Sequence, residues 1–172
     1  MNFLTYAQAR TIIEDGDIVF FHPKLNHDPL DAMIMFSTGS PFVHVNIAFW
    51  AEIGGQKRLM AVEAQGGTTR RIVNMSFYSD KDIVVIKGIK SWDDICADAL
   101  SQVADQKYSY LTAFYAGLRD FSIQHLGIRL PKMNHPGEIC SEFAARMCGF
   151  SGLFSPGDLY KTLLGMSVQK TV

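Results

Sequence analysis

Val43-His44-Val45-Asn46-Ile47-Ala48-Phe49-Trp50, followed after Gly54-Gly55 by Arg58-Leu59-Met60-Ala61-Val62-Glu63-Ala64, is the stretch that decides the fold. Both runs are short, apolar and rich in residues that suit a pleated surface. The glycine pair between them marks a tight connection, so they read as two neighbouring strands. Residues 17–21 read as an earlier strand, and 70–74 and 82–87 as later ones. The chain then changes character. Residues 92–106, 110–123, 140–148 and 156–164 read as helices, the last with Ser155 as its cap. Ahead of the central strands, residues 5–14 read as a short amphipathic helix closed by Asp15-Gly16. Asp28-Pro29 opens another helix, which Gly39 stops. Strands first and helices after, on short connections, predict an α+β domain with an antiparallel sheet packed against helices.

A chain of 172 residues with 48% hydrophobic content can bury a sizeable core, and we expect one domain over residues 1–172. Its 16 basic and 17 acidic side chains leave a net charge of −1, which gives no footprint for a nucleic-acid partner. No apolar run reaches the roughly 18 residues of a membrane span. The first ten residues lack the basic start and continuous apolar stretch of a secretory signal. The expectation is therefore a cytoplasmic protein, or one delivered without a classical signal peptide.

Cys96, Cys140 and Cys148 are too few for a disulfide framework in a chain of this size. On one helix, Cys140 and Cys148 would stand roughly 12 Å apart, too far to bridge. Cys148, just before Gly149, reads as a small buried hydrophobe, and so does Cys96. Cys140 differs. It follows the loop residues Gly137-Glu138-Ile139 and opens an apolar-periodic helix, and the first turn of a helix favours thiolate over thiol. His44, at the start of a strand, is the candidate base, and Glu63, on the next strand, supplies a carboxylate. A cysteine at a helix start with a histidine and an orienting polar group on adjacent strands is a nucleophilic constellation.

Other combinations carry less. His22, His27, Asp28 and Asp31 are divided by a proline-containing loop, and the two aspartates suit a cap and a helix surface, so no metal is expected. The glycine doublets Gly54-Gly55 and Gly66-Gly67 lack phosphate-loop spacing, and no cofactor is expected. Arg70-Arg71 reads as a solvated strand end, or else as a receiver for an anionic substrate group. The connection 124–139 is a candidate wall of the substrate cleft.

Several short motifs, in order, resemble the circularly permuted branch of the NlpC-type cysteine peptidases, the YiiX-like proteins. They are Asp15-Gly16-Asp17-Ile18-Val19-Phe20-Phe21, Val43-His44-Val45-Asn46-Ile47-Ala48, Val62-Glu63-Ala64, Lys107-Tyr108-Ser109-Tyr110, Ile139-Cys140-Ser141-Glu142-Phe143 and Ser155-Pro156-Gly157-Asp158-Leu159. Asn46 stands where that branch usually has a small residue, and Ser109 where an acidic one often follows the tyrosine. The resemblance implies a permuted papain-like fold with Cys140 as nucleophile, His44 as base and Glu63 as orienter of the imidazole. Asn46 is the second choice as orienter, because it shares the His44 face of one strand. Tyr108 resembles the tyrosine placed near the nucleophile, where its hydroxyl would help bind an oxyanion. The implied activity is cleavage of an amide in a small peptide, a cell-wall-type peptide or an N-acyl amino acid. The alternatives are an acyltransferase or lipid hydrolase of the lecithin–retinol acyltransferase-like branch, acting on an acyl substrate, and a non-catalytic binding protein of the same fold. The Cys140 neighbourhood lacks the asparagine-before, histidine-after pattern of the lipid branch.

Overall fold

The computed structural model describes residues 2–24, 29–64, 70–101, 122, 127 and 139–169. It is an α+β arrangement in which a five-stranded antiparallel sheet packs against helices. The strands are β1 (Ile18–His22), β2 (His44–Ile53), β3 (Gln56–Ala64), β4 (Arg70–Asn74) and β5 (Asp82–Ile86), in the order β4-β3-β2-β1-β5. The helices are α1 (Tyr6–Ala9), α2 (Pro29–Thr38), α3 (Trp92–Ser101), α4 (Cys140–Met147) and α5 (Pro156–Gln169), and a 3-10 turn spans Met75–Tyr78. The predicted helix over 110–123 apart from Ser122, together with Tyr108, His27, Asp28 and nearly all of the connection 124–139, lies outside the described residues.

The central hairpin forms because β2 and β3 register across a two-residue loop, with Ile53 opposite Gln56. Gly54 and Gly55 both hold positive φ, +61° and +72°, as a loop matching the strand twist requires. Alternation along the strands then feeds two cores. One face carries Ile18, Phe20, Val45, Ile47 and Val62 against Phe143 and Ala144 of α4 and Leu159 of α5. The other carries Val19, Phe21, Ala48 and Ala61 against Ala9, Ile13, Met75 and Tyr78. Covering both faces explains why β1 is apolar at every position from Ile18 to Phe21.

Two expectations shorten or change. Residues 5–14 are not one helix: the Thr5 capping box starts α1, but Thr11 and Ile12 bond to carbonyls three residues back, and the chain leaves α1 as tight turns. The β-branched run Thr11-Ile12-Ile13 is a poor continuation, and the turns place Ile13 in the core. Cys96 is half-buried rather than core, with its thiol directed to the Asp93 carbonyl, while Cys148 is buried as expected.

α5 begins as the sequence suggests. Ser155 Oγ accepts from the Asp158 N–H at 3.2 Å, and Pro156 occupies the first helical position. Gly157 is there because Ser40, in the turn leading to β2, comes so close that an added Cβ would lie 2.5 Å from Ser40 Oγ and 2.6 Å from its Cβ. That contact seats the approach to His44 against α5. Gly157→Ala is expected to lower unfolding free energy by ~1–3 kcal/mol. Ser40→Gly in the same chain should recover part of the loss, so a double-mutant cycle by urea denaturation should return a favourable coupling. Strict additivity would contradict the contact.

Candidate active site

Glu63 is the structural centre of the site. It sits on β3 with no solvent exposure, and an ionised carboxylate in such a place needs donors on both oxygens. It has them. Oε2 accepts from His44 Nε2 at 2.9 Å, from the Tyr78 hydroxyl at 2.6 Å and from Asn46 Nδ2 at 3.4 Å. Oε1 accepts from Arg71 Nε at 2.9 Å.

Each donor arrives by local structure. His44 and Asn46 share a face of β2, and Asn46 also reaches the Met75 sulfur at 3.4 Å. Arg71 is directly opposite Glu63 in the β3–β4 ladder. Tyr78 ends the 3-10 turn that follows β4. Asn74 caps this turn by accepting the Ser76 N–H at 3.0 Å.

His44 faces the other way as well. Cys140 lies near enough to the ring to act on the His44 proton. The imidazole packs beside two aromatic neighbours, Phe21 at 5.8 Å and Tyr78 at 5.5 Å between ring centroids, with interplanar angles of 29° and 27°. Cys140 is buried at the first position of α4, after Ile139 as an N-cap with no capping side chain. Glu142 reaches back to the Ile139 N–H at 3.3 Å, and Ser141 anchors the turn through a 2.5 Å bond to the Phe154 carbonyl. Phe143, one turn in, packs under the Arg70 guanidinium at 4.9 Å.

Electrostatics follow from this packing. Burial would push His44 down, but the neighbouring charges of Cys140 and Glu63, with hydrogen bonds to both, outweigh it and hold its pKa at about 10 instead of 6.5. Burial would raise Glu63, yet the His44 charge and the bonds from His44, Tyr78 and Arg71 bring it from 4.5 to about 2. Burial, followed by the Glu63 charge, pushes the Tyr78 hydroxyl upward, which keeps it a donor. Burial raises Cys148 to about 11.

The structure thus joins His44 to Glu63, with Asn46 bonded to Glu63 rather than aimed at the histidine, and sets Cys140 near enough to act on the His44 proton. Arg70-Arg71 needs correction. Neither is a solvated strand end: Arg70 is buried over Phe143, and Arg71 is bonded to Glu63. A signal for the second contact was present, since Glu63 and Arg71 are opposite charges on the two runs that flank Gly66-Gly67. Tyr78 was missed, because nothing periodic marks it. Among the described residues, no group of three or more His, Cys, Asp or Glu side chains is placed to hold a metal ion, and Asp31 is paired with Lys81 at 2.7 Å. None of the described helices is long and apolar enough to cross a membrane. Compared with protein-family models and with curated proteins, the chain matches none.

Because Glu63 is depressed, its contribution to stability is present above pH 4.5 and lost as pH falls toward 2. His44 is raised, so its contribution is full below pH 6.5 and lost as pH climbs through about 10. Urea midpoints of wild type and Glu63→Gln should differ most between these limits, with the difference shrinking below pH 4.5. A difference that stays constant down to pH 2 would contradict a buried ionised carboxylate.

Proposed function

We propose that the protein is a cysteine hydrolase of permuted papain-like fold that cleaves amide bonds in small peptides, cell-wall-type peptides or N-acyl amino acids. The observation that supports the reading is His44, held to the buried Glu63 carboxylate at 2.9 Å and near enough to Cys140 for the cysteine to act on its proton. A base with one nitrogen fixed by a carboxylate and the other facing a nucleophile has a defined tautomer and direction. The ordered motifs from Asp15 to Leu159 point the same way.

In the proposed mechanism His44 takes the Cys140 proton, and the thiolate adds to the substrate carbonyl. The Cys140 N–H, in the first turn of α4, contributes to binding the oxyanion. As the C–N bond breaks, the His44 imidazolium gives its proton to the leaving amine, which departs and leaves a thioester on Cys140. A water molecule, deprotonated by His44, then attacks the thioester carbonyl and releases the acid and the free thiol. Glu63 holds the imidazole throughout and is not consumed. Tyr108, the proposed second oxyanion donor, is outside the described residues.

Arg71 is bonded to Glu63 through Nε and Arg70 is buried on Phe143, so neither is a free surface charge. The preference for amides over acyl esters rests on the resemblance. Iodoacetamide near neutral pH should label Cys140 before half-buried Cys96 and well before Cys148, with the order read by mass spectrometry. His44→Ala should slow Cys140 labelling. Peptide amides, including cell-wall stem peptides, should be turned over in a side-by-side assay with long-chain acyl esters. Cys140→Ala should abolish turnover, and Glu63→Gln should lower it on the order of 10²- to 10⁴-fold by analogy with serine triads. Equal labelling of the three cysteines would remove the hydrolase reading. Cys140-dependent turnover confined to esters would replace it with the acyltransferase branch.

A further inference from the structure

The site contains a group that the proposed mechanism does not use. The Tyr78 hydroxyl donates to Glu63 Oε2, the same oxygen that receives His44 Nε2, and the Tyr78 ring stacks on the His44 ring. We infer that Tyr78 is a positioning residue for His44: its hydroxyl weakens Oε2 as a base, so that the Nε2 proton stays on the imidazole, and its ring fixes the imidazole plane. For its catalytic meaning this rests on reading His44 as the base of Cys140.

The argument for the hydroxyl is competition at one atom. Oε2 accepts three donors, at 2.6 Å from Tyr78, 2.9 Å from His44 and 3.4 Å from Asn46. An oxygen that shares its lone pairs among donors is less basic toward each, just as hydrogen bonds to a carboxylate favour its charged form. Tyr78 makes the shortest of the three contacts. Its burial and the adjacent Glu63 charge keep the phenol protonated, so it serves as a permanent donor. Among the described residues, the titratable groups facing His44 are Glu63 from β3, Tyr78 from the 3-10 turn and Cys140 from α4. Arg71 of β4 acts on His44 through the far oxygen of Glu63.

The argument for the ring is geometric. Phe21 and Tyr78 lie 4.2 Å apart between centroids, and each also stacks on His44. The two rings form one aromatic wall along the imidazole, and the part of that wall nearer to it is Tyr78. Tyr78 is itself 5% exposed and closes a turn capped by Asn74, so the device rests on rigid parts. With Nε2–H held, Nδ1 is the nitrogen free to act as the base in the proposed mechanism.

The test follows the His44 ring nitrogens by NMR in protein carrying ¹⁵N-labelled histidine, with the other four histidines as internal controls. Removing the hydroxyl in Tyr78→Phe makes Oε2 a stronger acceptor and should move the His44 midpoint up. Removing the charge in Glu63→Gln should move it down. Opposed shifts are the expected result, since a purely structural tyrosine would not raise the midpoint. Tyr78→Leu, which also loses the ring, should slow iodoacetamide labelling of Cys140 on the order of 10-fold relative to Tyr78→Phe. Should Tyr78→Phe fail to fold, wild type grown with 3-fluorotyrosine, a stronger donor, should move the midpoint down.

An unchanged His44 midpoint in Tyr78→Phe, or one that moves in the same direction as in Glu63→Gln, would overturn the inference. So would an upward shift with 3-fluorotyrosine. Cys140 labelling that is indifferent to His44→Ala would instead overturn the nucleophile–base reading alone, because the His44 titration is read without any reaction at the thiol.

Discussion

An ionised carboxylate removed from water costs several kcal/mol even after the protein relaxes around it. Glu63 imposes that constraint, and the site is built to meet it. One charge-assisted hydrogen bond contributes about 1.5–3 kcal/mol, so no single donor offsets the burial of Glu63. Four donors do so together, and they come from every element around it: His44 and Asn46 from β2, Arg71 from β4 and Tyr78 from the 3-10 turn. The requirement ties the register of three strands to one side chain. A one-residue slip of β2 would turn His44 and Asn46 toward the face of Val45 and Ile47, and Glu63 would lose two partners at once.

What could be read in the sequence was what alternation and turn chemistry encode. The β2–β3 hairpin was legible because its apolar runs are long and its loop is a glycine pair, the helix start at Ser155 because its cap is local, and that at Cys140 because a loop gives way to apolar periodicity. α1 was overextended because amphipathic spacing continues through Thr11 and Ile13, whereas the hydrogen bonds already tighten after Arg10. Candidate site residues on regular elements were found, since a histidine and a glutamate on adjacent strands are placed by strand order. Tyr78 was not, because its partner is set by where the chain turns after β4, and neither period nor composition carries that direction. Arg71 falls between. Its pairing is implied by the hairpin register, but a charged residue at the end of a five-residue strand reads as solvated unless that register is known.

The two faces of the sheet have different tasks. The face of Val45, Ile47 and Val62 receives α4, whose Ala144 and Ala145 allow close approach and whose Phe143 fills the space between helix and sheet. The opposite face holds Glu63 and its donors among Phe21, Met75 and Tyr78. Cys140 opens the helix of the first face, and His44 is the first residue of its strand and belongs to the second. In the proposed site these two residues link the two cores at one end of the sheet, where a helix start and a strand start come near each other.

In the proposed mechanism the charges alternate from Cys140 through His44 and Glu63 to Arg71, negative and positive in turn. That order has an energetic consequence. Moving a proton from the thiol to the imidazole creates one anion and one cation, and a histidine held at about 10 by its neighbours accepts the proton readily. If Glu63 stood without Arg71, the three-residue set would carry a net negative charge in a largely buried place. Burial would then favour neutralising it by protonating Glu63, and the support that holds His44 would be weakened. With Arg71 on Oε1 and neutral Tyr78 on Oε2, the carboxylate stays ionised while its pull on the Nε2 proton is moderated. Arg71 supplies charge balance and Tyr78 supplies a hydrogen bond without charge. Exchanging their chemical types would lose one of the two effects, which is why a cation and a neutral hydroxyl on the two oxygens form a more specific arrangement than a buried salt bridge alone.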